Sequence, residues 1–123
     1  MSEPTACSER VLEEIEIFLE KAFSEFARGL YLVLDFHSQR LIGTSLARAI
    51  VDKPKEAYHI MLLVLDEPGV EVLSSTLAYM LRRNNIPARA NLLRKLSEGD
   101  NSAFLEAARA FVDAYRETES IYP

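Results

Sequence analysis

With Cys7 as its sole cysteine, a chain of 123 residues has no intramolecular disulfide framework and no cluster of cysteine ligands for a metal. A lone thiol fits a reducing compartment, and a cytoplasmic location is expected. The first twenty residues hold six glutamates, the reverse of the basic stretch and apolar run of a secretory leader, so no leader is expected. Long apolar runs are also missing. The longest, Ile60 to Leu65, falls far short of the roughly 20 residues that a membrane-spanning helix needs, and no membrane partner is expected. Glycine is scarce, and none of Gly29, Gly43, Gly69 and Gly99 stands in the GxxxxGK[ST] spacing that cradles phosphates.

What is present is an ordinary globular composition, 49% apolar and 27% charged, in a length that suits one domain over residues 1–123. The formal charge of −5 argues against a surface that grips nucleic acid on all sides. The charge is uneven, however. Seven glutamates lie between Met1 and Glu25, whereas Arg82, Arg83, Arg89, Arg94 and Lys95 fall in a stretch without an acid. These two regions have complementary charge and can pair.

Periodicity predicts helices. Val11, Leu12, Ile15, Phe18, Leu19, Ala22, Phe23, Phe26 and Leu30 gather on one half of a helical wheel, opposite Glu9, Arg10, Glu13, Glu14, Glu20, Lys21 and Arg28. Ser8 is the expected N-cap and Gly29 the expected stop. Thr44 or Ser45 should cap a short helix through Val51, and Asp52 the next, with Pro54 in its first turn and Glu67, Pro68 and Gly69 ending it. Val70, Leu73, Leu77, Met80 and Leu81 mark another helix, stopped by Asn84, Asn85 and Pro87. A short helix should start at Pro87 and use Leu92, Leu93 and Leu96. Phe104, Leu105, Ala108, Phe111, Val112 and Tyr115 mark the last. The fold class expected is all-α, a bundle of about six helices with two of them short and with residues 1–7 and 118–123 as loose ends. The alternative is an α/β fold with strands near 30–36 and 60–65, because a continuous apolar run has no period to read.

Several strings suggest chemistry. An apolar run ending in Asp66-Glu67-Pro68 resembles a Walker B element, which holds Mg²⁺, but the phosphate cradle it requires is missing. Glu56 and His59 stand three apart on a helix, half of a carboxylate-bridged di-metal site, and only a second copy of the chain would supply the other half. Ser74 and Ser75 lie in no nucleophile elbow, and Cys7 is far in sequence from either histidine. No catalytic residue, metal or cofactor is assigned, and the reading leans against an enzyme without deciding the question.

Two partner readings follow. The wide aromatic face of the first helix, with Phe18, Phe23, Phe26 and the off-face Ile17, is a candidate contact for a second copy or another protein, making the chain a helical interaction module acting as a homodimer. In the alternative reading, the stretch 82–95 joins two helices through a turn as a helix-turn-helix does, with Arg82, Arg83, Arg89, Arg94 and Lys95 available to phosphates.

Overall fold

A computed structural model describes residues 3–88 and 91–121, and the side chains of residues 9–88 and 91–117. Six helices follow in order: α1 Glu3–Phe26, α2 Leu30–Leu41, α3 Leu46–Asp52, α4 Pro54–Arg83, α5 Arg94–Ser97 and α6 Ser102–Ile121. No strand occurs among the described residues, and both doubtful segments, 30–36 and 60–65, are helical. The protein is therefore all-α. No helix among the described residues is long and apolar enough to cross a membrane. Side chains in the segments 1–7 and 118–123, the ends read from sequence as loose, lie outside the described residues.

The terminal helices pack on each other, while α4 touches α1, α2, α3 and α5. The wheel of α1 explains the first contact. Ile15, Phe18, Leu19, Ala22 and Phe23 are buried, and Glu9, Arg10, Glu13, Glu20 and Lys21 face solvent. The Phe18 ring meets Phe104 at 5.3 Å and Phe111 at 5.4 Å, both edge-on, and Phe23 at 6.5 Å. These distances and angles favour the ring quadrupoles, so the cluster adds to simple area burial. The helix starts at Glu3 instead of after Ser8, with Pro4 in the first turn, where its missing N–H removes no helical bond.

Helix α4 is continuous in sequence and broken in geometry. At Asp66 the backbone leaves the helical region (φ 59°, ψ 179°), a conformation that side chains with a Cβ rarely adopt. Its carboxylate accepts the Gly69 N–H at 3.0 Å, which makes Asp66 the N-cap of the second half, with Pro68 in that half's first turn. The sequence signal Glu67-Pro68-Gly69 thus marks a beginning where an ending was expected. At Gly69 the backbone closely approaches the preceding turn. A Cβ there would lie 3.0 Å from Leu65 Cβ and 3.3 Å from the Asp66 carboxylate.

The second half ends in a Schellman turn, with the Ile86 N–H donating to Leu81 O (2.9 Å) and the Asn85 N–H to Arg82 O (3.0 Å). Asn85 takes the left-handed position at φ 65°, and Ile86 tucks into the core. Because Ile86 precedes a proline and is held in this turn, residues 86–88 stay irregular, and the helix expected from Pro87 starts only at Arg94.

Long-range caps fix the short α3. The Leu46 N–H donates to Asp35 Oδ1 at 2.8 Å and the Arg48 N–H to Ser45 Oγ at 3.1 Å. At its other end, Asn101 Nδ2 donates to Ile50 O and Val51 O, both at 3.0 Å, tying α3 to the start of α6. Asp52, expected to cap α4, instead pairs with Arg48 at 3.7 Å, and Lys53 takes the cap position without a side-chain bond.

Two outcomes test these assignments. Phe18→Ala should cost about 3–5 kcal/mol in urea unfolding, since the ring is wholly enclosed by two helices and leaves a cavity. At the α4 break, Asp66→Gly should destabilise less than Asp66→Ala. Both lose a cap worth roughly 1 kcal/mol, and only glycine also relieves a strain of about 1–3 kcal/mol. An equal loss in the two variants would contradict the strained-cap assignment.

Candidate functional site

The aromatic residues of α1 are largely internal. Phe18 and Phe23 have no exposed surface, Phe26 is half-buried against the core, and Ile17 is half-buried at the margin of the packed face. The half-circumference of apolar surface on α1 is covered by α6 and α4 of the same chain.

The basic stretch is engaged within the molecule at several points. Arg82 donates to Ala88 O at 2.9 Å, Arg83 lies over the Tyr79 ring at 5.8 Å, and Arg94 pairs with Glu71 at 3.6 Å. Lys95 lines an open groove with Ile86, Pro87, Asn91, Leu92 and the side of α6, and Arg89 lies outside the described residues. The acidic partner of Arg94 thus comes from α4, where α1 was the expected source. Following a turn, the segment provides a helix of only four residues, Arg94–Ser97.

The other residues with suggestive chemistry are dispersed. Glu56 and His59 are both exposed on the first half of α4, and no group of three or more potential metal ligands occurs among the described residues. Ser74 is buried, and its hydroxyl oxygen accepts the Leu93 N–H at 3.4 Å, which holds the stretch before α5 against α4. Asp35 and Asp66, which would stand at the ends of strands in an α/β fold, both cap helices. Cys7 lies outside the residues whose side chains are described.

An apolar surface without cover lies on α2. Leu30, Leu34 and Ser38, at a spacing of four, face the core. On the opposite side Leu32 is 70% exposed, Val33 44% and Phe36 56%, and Leu41 stands 61% exposed at the helix end. The first turn, Leu30 to Leu34, is apolar around its whole circumference and would ordinarily have neighbours on every side, yet Leu32 and Val33 stay exposed. Arg40 lies over the outer face of Phe36 at 5.8 Å, and His37 meets the ring edge-on at 5.5 Å. Of the other exposed apolar side chains on α4, Leu63 stands apart, while Val72 and Tyr79 line one open hollow with Pro68. The signal for the α2 face was in the sequence. The unbroken run Leu30 to Leu34 obscured the choice between helix and strand, but once the segment is helical the same run requires apolar residues on all sides.

One flank of this face is acidic. The Tyr31 hydroxyl is pushed up to about 12 by burial, and then by the charges of Asp35, Glu16 and Glu20. Folding therefore holds the phenolic proton more tightly than the unfolded chain does, so the associated stability is complete below 10 and is lost as pH rises through about 12. In an alkaline titration followed by phenolate absorbance, one tyrosine should ionise about two units later than an ordinary phenol, and Tyr31→Phe should delete that late step.

Fold and surface together define an all-helical protein whose described residues leave an apolar face of α2 uncovered. The chain is 30% identical over 102 residues to an uncharacterized protein of Archaeoglobus fulgidus, an alignment covering 82% of this chain and 84% of that protein, and it belongs to the same family. No protein-family model and no solved structure matches it.

Proposed function

We propose that this protein is a non-enzymatic interaction module that works as a homodimer, with the outer face of α2 as its contact, in the cytoplasm. One observation carries the reading: Leu32, Val33 and Phe36 are exposed together on a helix whose other side is in the core. Three bulky side chains at these exposures gather apolar surface in one place, as interaction sites on monomers do. A two-fold contact is the commonest way to cover such a patch, because one apolar surface serves both copies. The residues first suggested for this role, Phe18 and Phe23, fill the core of a single chain. The contact therefore moves to α2, and Ile17 keeps a place only at the edge of α1. The lone cysteine fits a reducing compartment.

Light scattering at micromolar concentration should give the mass of two chains. Replacing both Leu32 and Phe36 with Glu should halve that mass while the helical circular dichroism is retained. A native protein that scatters as one chain would refute the proposal.

A further inference from the structure

A second surface lies away from α2, where the final turns of α1 and the second half of α4 meet the side of α6. A hollow of about 380 Å³ opens there. This volume is within the few hundred to about 1,000 Å³ typical of small-ligand sites. We propose that it binds a small planar aromatic anion.

The apolar wall comes from α6. Phe111 and Tyr115 lie in near-parallel planes, 10° apart with centroids 6.3 Å apart, and Met80 of α4 adds a buried thioether. Two flat rings and a polarizable sulfur match the face of another aromatic ring. The polar wall is cationic. Lys21 stands over the Tyr115 ring at 5.4 Å, and Arg83 approaches from the end of α4. Among the described residues no carboxylate forms an ion pair with either cation, although Glu25 is on the same wall.

Arg83 is also not needed to finish its own helix. The carbonyls of Met80, Leu81 and Arg82 are already taken by Asn84, Asn85 and Ile86. Two cations beside an aromatic wall, neither ion-paired among the described residues and one of them, Arg83, also over the Tyr79 ring, provide charge-assisted donors for a carboxylate or sulfonate whose ring lies against Phe111. Glu25 and the Asn84 side-chain carbonyl, whose amide nitrogen is already bonded to Met80 O, can each accept one hydrogen bond from the ligand. A positively charged aromatic would meet Lys21 and Arg83 as like charges.

The test uses the full chain, isotope-labelled for amide spectra and titrated separately with indole-3-acetate, tryptamine and acetate. Indole-3-acetate should shift amides around Lys21, Arg83 and Tyr115, while tryptamine and acetate should leave them in place. Lys21→Glu and Arg83→Gln should each weaken indole-3-acetate binding about tenfold, as the loss of a charge-assisted hydrogen bond does. Both side chains are exposed, so their amide spectra should otherwise match the parent. No shift with indole-3-acetate at millimolar concentration, equal shifts with tryptamine, or unchanged affinity in both variants would overturn the assignment. None of these residues is on α2, so the outcome is separate from that of the dimer measurement.

Discussion

The fold depends on the break at Asp66. A straight helix from Pro54 to Arg83 would be about 45 Å long. A chain of this length folds to a radius of gyration of only about 14 Å, so such a helix would project from it. Leaving the helical region at one residue lets the two halves of α4 pack in different directions, and α4 is the element that α1, α2, α3 and α5 all contact. The sequence provides what the break needs in four consecutive positions. Asp66 supplies a carboxylate acceptor, Glu67 a charge suited to a helix start, Pro68 a fixed φ, and Gly69 a position without a Cβ. An acidic pair after an apolar run, which resembled a nucleotide-site element, serves the backbone here.

The same economy applies to most of the polar side chains that might have suggested catalysis. Asp35 caps α3 from another helix, Ser74 anchors the stretch before α5, and Asn101 closes the end of α3 across fifty residues of sequence. Short helices leave a large share of their backbone groups without intrahelical partners, and α3, with seven residues, needs these distant groups at both ends. Carboxylates and amides engaged in this way stabilise the fold.

Much of this architecture was legible in the sequence, because α1, α3, the second half of α4 and α6 each show a three-and-four spacing of apolar residues. The core positions on α1 and α6 follow directly from that spacing. Three features were not legible, for different physical reasons. An apolar run without a period hid the type of α2. The residues Glu67-Pro68-Gly69 suit a helix start and a helix stop equally, and only the geometry of Asp66 separates the two. The cover of α1 was hidden because a wheel shows which side of a helix is apolar and says nothing about which neighbour covers it. Phe18 finds that neighbour in α6, where Phe104 and Phe111 meet its ring, while Leu32 and Phe36 stay exposed among the described residues.

The pairing of the first helix with the last also bears on how the protein is made. The ring of Phe18 is enclosed only when Phe104 and Phe111 arrive, and these are close to the end of the sequence. A ribosome releases the chain from its N-terminus, so α2, α3 and α4 emerge before α6 and the Phe18 side of α1 waits for its last neighbour. Stalled or truncated products lacking α6 would carry that greasy stripe into the cell uncovered. Chaperones and proteases recognise such a surface, and docking of α6 is what hides it.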